Sequence, residues 1–148
     1  MNLYIFFQIL LVSISATSGL TLFSSATSQS VSVKEIYREP ILLSFIFLKQ
    51  RVRASVLSKT ILGWLTHYTL GFFLVLVYHI FWSYNFIEVS LLQTILLGVV
   101  SGIIGILGWK FLFLITPYKF VVQLKGSYIK FFFAHIIFAL VATAAYHI

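Results

Sequence analysis

The sequence predicts an all-α bundle of four transmembrane helices, and three observations predict it. Four apolar stretches, 3–23, 61–82, 89–115 and 128–147, approach or exceed the roughly 20 residues a helix needs to cross the hydrocarbon core. Hydrophobic residues make up 61% of the 148 and charged residues only 9%, more apolar surface than a soluble domain of this size could bury. All ten Lys and Arg fall between positions 34 and 59 or between 110 and 130, flanking the apolar stretches. The chain therefore reads as one integral membrane domain, residues 1–148, with basic loops at 24–60 and 116–127.

The first stretch lacks a basic segment ahead of it and a clean small-residue cleavage site behind it, so it reads as a retained helix rather than a signal peptide. Ser13, Ser15, Ala16, Ser18 and Gly19 make it rich in side chains that let helix backbones approach in lipid. Residues 24–32 are small and polar, and Pro40 should open a new element. The apolar run 41–48 is too short to span and is joined to Lys49, Arg51 and Arg53. That pattern fits a helix at the membrane interface whose basic residues meet anionic lipid headgroups. A connecting cytoplasmic helix under the bundle is the competing reading.

Trp64 and Trp82 bracket the second stretch at the two expected interfaces. A short turn, 83–90, carries Glu88 and no basic residue. The third stretch should end near Pro117, with Lys110 able to reach the interface from one turn inside. The fourth should begin near Ser127. Six Lys/Arg in the first basic loop and four around the second, against none at the N-terminus or in 83–90, place both termini outside under the positive-inside rule. The same placement argues against nucleic acid as the reason for the net charge of +7. A bacterial inner (cytoplasmic) membrane is the expected setting.

An internal repeat organises the chain. His67 is followed by Gly71 and then Tyr78-His79; 68 residues on, His135 is followed by Ala139 and then Tyr146-His147. These are all four histidines of the protein. Ser15 and Gly19 in the first stretch correspond to Gly98 and Gly102 in the third. The chain is thus expected to be two duplicated helical hairpins, a parallel repeat about an axis along the membrane normal. Gly98, Gly102 and Gly105 form a stripe expected to pack against Ser15 and Gly19, or else to form a homodimer face.

The chemistry the sequence offers is sparse. There is no Cys and no Asp, which excludes disulfides, thiolate metal sites and a Ser-His-Asp set, and there is no phosphate-binding glycine loop. No catalytic residue and no metal ligand set is legible. Within one helix, residues 12 apart are ~18 Å apart, so His67 and His79 cannot share a ligand. Across helices, His67 and His135 fall at matched depth, with Gly71 and Ala139 one turn away leaving room beside the rings. Such a pair could hold haem, a quinone or a lipid, or relay protons. The leading expectation is a non-enzymatic accessory or scaffold protein with a membrane-protein partner; the alternative is a transport or ligand-binding bundle using His67 and His135.

Overall fold

A computed structural model describes residues 2–28, 56–115 and 124–147. The segment 41–53, with Lys49, Arg51 and Arg53, lies outside the described residues. Among the described residues there are four helices: α1 (Leu3–Ser28), α2 (Val56–Ser83), α3 (Leu91–Ile115) and α4 (Leu124–Tyr146). Each contains a stretch long and apolar enough to cross a membrane, Leu3–Thr27, Ile61–Ser83, Leu91–Phe111 and Tyr128–Tyr146. The chain is a small multi-pass membrane protein built as a four-helix bundle.

The helices run past the apolar stretches at their basic ends, where hydroxyl side chains help. In α1 the polar run after Phe23 stays helical while Thr27 Oγ1 donates back to Phe23 O at 2.9 Å. That bond satisfies the hydroxyl within the helix, so polar residues need not end it. At the same end Lys130 Nζ of α4 donates to Thr27 O at 2.7 Å. A cation on the last carbonyls of α1 meets the negative end of its dipole.

The opposite, neutral end is made by a tight α2–α3 turn. Asn85 takes a left-handed φ of 52°. Phe86 N donates to Phe81 O at 3.0 Å and Asn85 N to Trp82 O at 3.2 Å. These are the two bonds of a Schellman cap, and the Phe81–Phe86 ring contact at 6.3 Å supplies its hydrophobic clasp. Asn tolerates this conformation better than most L residues, which explains its place here. Ser90 then opens α3: its Oγ accepts from Gln93 N at 3.3 Å, an N-cap bond.

Sequential helices are antiparallel, but the packing is uneven. α4 packs closely on both α1 and α3, and α1 also packs on α2. Despite the short turn that joins them, α2 and α3 make almost no close backbone contact. The buried residues follow one face of each helix: Ile9, Val12, Ala16 and Leu20 on α1, Val75, Tyr78 and Trp82 on α2, and Leu97 on α3. On α4 they are Ala134, Phe138, Ala139 and Ala142. Three of those four are alanines, because α4 is approached closely from two sides.

The glycine stripe of α3 meets α4, not α1. A Cβ on Gly98 would lie 2.7 Å from Ile136 Cα, one on Gly102 3.1 Å from Phe132, and one on Gly105 2.6 Å from Phe131. Gly19 faces Val141, again on α4, and Ser15 is exposed. The expected meeting of Ser15/Gly19 with Gly98/Gly102 is therefore corrected: each small-residue stripe finds α4, which stands between α1 and α3. The reason is steric. Gly98 admits the Ile136 backbone and Ala139 of α4, and Gly102 admits Phe132, whereas α1 presents Ile9, Val12 and Leu20 on its buried face.

Candidate functional site

The polar side chains within the spans are the place to look for chemistry, since each must find a partner away from water. Most find one on a neighbouring helix. Ser18 of α1 bonds Tyr68 of α2 at 3.1 Å, and Thr94 of α3 bonds Thr143 of α4 at 3.1 Å. Tyr78 of α2, 2% exposed, reaches across to Ser101 of α3 at 2.9 Å and to Leu97 O at 3.4 Å. Its ring lies edge-on to Phe138 of α4 at 6.1 Å, so one tyrosine ties three helices together.

The basic-end histidines, His67 on α2 and His135 on α4, each have a hydrogen-bond partner of their own. Thr21 Oγ1 lies 2.7 Å from Thr17 O and 3.2 Å from His67 Nε2, so its hydroxyl links a carbonyl of α1 to an imidazole of α2. His135 Nδ1 lies 3.0 Å from Phe131 O, and a carbonyl can only accept, so the proton is on Nδ1. The second nitrogen of each ring, His67 Nδ1 and His135 Nε2, has no hydrogen-bond partner among the described residues. Each ring has aromatic neighbours on its own helix: Trp64 and Tyr68 each lie 6.1 Å from His67, and Phe131 lies 4.4 Å from His135, tilted by 49°.

Gly71 and Ala139 do not leave the room expected beside these rings. Gly71 is closed by Thr17 of α1, whose side chain stands where a Cβ would go. Ala139 is fully buried, and its own Cβ lies 3.2 Å from the Cβ position of Gly98. Both small residues serve helix approach in this structure. Towards α3 the His135 ring is closed as well: the Cβ position of Gly105 is 3.2 Å from His135 Nε2 and 2.6 Å from Phe131, whereas nothing lies within 4 Å of that of Gly108.

The neutral-end histidines are arranged differently, although their sequence setting is the same. His79 Nδ1 bonds Tyr146 Oη at 2.7 Å, and Ser83 Oγ lies 3.2 Å from His79 Nε2. Trp82 packs on the Tyr146 ring at 4.6 Å, and Gln8 Nε2 donates to Tyr146 O at 3.1 Å. This cluster pins the end of α4 to α1 and α2. His147 is exposed in the turn beyond α4, where with Ser90, Thr94 and Thr143 it lines a groove of about 330 Å³ between α3 and α4.

Sequence reasoning missed Thr17, Thr21, Tyr78 and Ser101 as interhelical contacts. Hydroxyl residues in an apolar helix are common, and their partners depend on how helices are rotated. One signal was available: Thr17 and Thr21 share a helix face four residues apart, next to Gly19. Among the described residues no group of three or more His, Asp or Glu converges on a metal position. Compared with protein-family models, with curated proteins and with solved structures, the chain finds no match in any of the three.

Proposed function

We propose that this chain is a non-enzymatic accessory or scaffold component of a bacterial cytoplasmic membrane, with both termini outside and the basic loops in the cytoplasm. One observation carries the reading: the polar side chains of the spans pair with one another across helices and hold the bundle, as in Ser18–Tyr68, Tyr78–Ser101, Thr94–Thr143 and His79–Tyr146. Interhelical hydrogen bonds of this kind are worth about 0.6 kcal/mol each on average, which suits a rigid body better than a working cavity. The outward faces are apolar and continuous, with Leu65 and Phe73 on α2 and Leu92, Leu96 and Ile104 on α3 exposed. These offer lipid or another membrane protein a large surface.

Duplication of an ancestral hairpin fits the matched histidines and the two antiparallel hairpins, and the basic segment with Lys49, Arg51 and Arg53 suits anionic headgroups. Photo-crosslinkers placed at Leu96 and Ile104 in native membranes test the partner reading. A discrete protein adduct is the expected result, and lipid adducts alone at both positions would defeat it. Reporter fusions after Arg53 and at both termini test the orientation, which a periplasmic signal after Arg53 would overturn.

A further inference from the structure

We infer that the groove between α3 and α4 at the neutral end binds the polar end of a phospholipid whose headgroup joins a phosphate to a primary ammonium, a phosphatidylethanolamine. The inference goes beyond the accessory role and does not depend on it.

The groove is amphipathic. Leu91, Leu140 and Ala144 give it apolar walls, and Ser90, Thr143 and His147 give it polar ones, around a volume of about 330 Å³. Ligand sites run from about 300 to 1,000 Å³, so this one suits a headgroup and its ester linkage rather than a whole lipid. Its depth matches that part of the molecule. The membrane-crossing stretch of α3 begins at Leu91 and that of α4 ends at Tyr146, so the groove lies where both helices leave the hydrocarbon. Trp82, packed on the Tyr146 ring, marks the same level with the amphipathic side chains typical of an interface. Towards the bilayer centre, Ile95 stands one turn from Leu91 and is exposed, so an acyl chain has an apolar track leading away from the groove.

The polar groups offer donors. Ser90 Oγ accepts from Gln93 N, which leaves its own proton for an outside acceptor. His147 is exposed, and an imidazole carries an N–H in either tautomer. Leu91 is the first residue of α3, so the positive end of that helix's dipole lies at the groove as well. A phosphate diester, which accepts and cannot donate, fits this set.

Charge selects among phosphate headgroups. Every Lys and Arg lies between 34 and 59 or between 110 and 130, so none stands in the turn 83–90 or in 131–148. Glu88 is exposed and adjoins Val89, which lines the groove. A headgroup of net negative charge would meet that carboxylate with no cation to balance it. A primary ammonium balances it and donates to it, whereas a quaternary ammonium has no N–H to give. Ethanolamine meets both demands.

The test uses the full chain in detergent micelles holding equal amounts of phosphatidylethanolamine, phosphatidylcholine and phosphatidylglycerol with the same acyl chains. Native mass spectrometry counts the bound lipids. One phosphatidylethanolamine should be retained, at least tenfold more tightly than phosphatidylcholine. Glu88→Gln should remove most of that preference, and Ala144→Leu, which fills the groove from an exposed position, should remove the lipid itself. Equal retention of the ethanolamine and choline lipids by the wild-type chain would overturn the proposal, and this arm does not depend on any variant folding. An ethanolamine preference that persists in Ala144→Leu, with unchanged helical circular dichroism, would overturn it too, because the lipid would then sit elsewhere. So would preferential retention of phosphatidylglycerol that Ala144→Leu abolishes.

Discussion

The α3–α4 seam and the α2–α3 seam share a helix, and they are built in opposite ways. Against α4, α3 lays Gly98 on Ile136 and Ala139, Gly102 on Phe132 and Gly105 on Phe131, and at Gly98 a Cβ would lie 2.7 Å from the Cα of Ile136. Against α2, the same helix is held by the Tyr78 side chain, although only a short turn separates the two in sequence. The difference teaches that loop length sets which helices could be neighbours, while small side chains decide which ones close up. In lipid no hydrophobic drive pulls helices together, so close packing falls to the pairs whose side chains permit it.

The largest expected break in this contrast is at Gly98. Replacing it with Val puts branched carbons against the Ile136 backbone, which cannot yield as a side-chain tip could. Overpacking typically costs about 1–3 kcal/mol, and this site should fall at or above the top of that range. Unfolding of the Gly98→Val protein in detergent or by SDS titration measures it; wild-type stability would mean the seam is looser than described.

A second test takes the α1–α2 contact at Gly71, where Thr17 occupies the Cβ position and has a buried, unpartnered hydroxyl. Gly71→Ala should destabilise by about 1–3 kcal/mol through the same overpacking. Thr17→Ala alone should be neutral or stabilising, because it removes an unsatisfied buried group. The double variant should recover most of the loss. Additive effects in that cycle would show that the two residues do not share one space.

The loose seam should respond weakly. Tyr78→Phe deletes the hydroxyl that reaches Ser101 and keeps the ring against Phe138, so about 0.5–1.5 kcal/mol is expected. Ser101→Ala should add little on top of it. Full additivity of the two would count against the bond. The smallest effect belongs to Gly108, whose Cβ position is empty. Gly108→Ala should be neutral or stabilise α3 by up to about 1 kcal/mol through helix propensity, as a thermal melt would show, and a clear loss would mean that something already packs there.

The histidines repeat the lesson in side-chain chemistry. His67 and His79 stand on one helix, yet His79 has neighbours at both nitrogens, Tyr146 and Ser83, whereas His67 has one bond, to Thr21. Their copies differ too: His135 is buried between α3 and α4, and His147 is exposed past the helix end. Matched spacing along the chain placed His67 and His135 at one depth. It could not say that Thr17 would fill the space beside Gly71, because that depends on the rotation of α1 about its own axis.

By itself the sequence determined the four apolar spans and the separation of a basic end from a neutral one. Those features are local: hydropathy over about 20 residues and the positions of Lys and Arg need no knowledge of neighbours. The small residues at 19, 98, 102 and 105 were legible as contact surfaces, but not their partners. A small-residue stripe permits close approach by any helix that offers a flat face, and it carries no address. Only the tertiary structure decided that α4 lies between α1 and α3 and that Ser15 is left outside, because each depends on helix rotation and on side chains far apart in the chain.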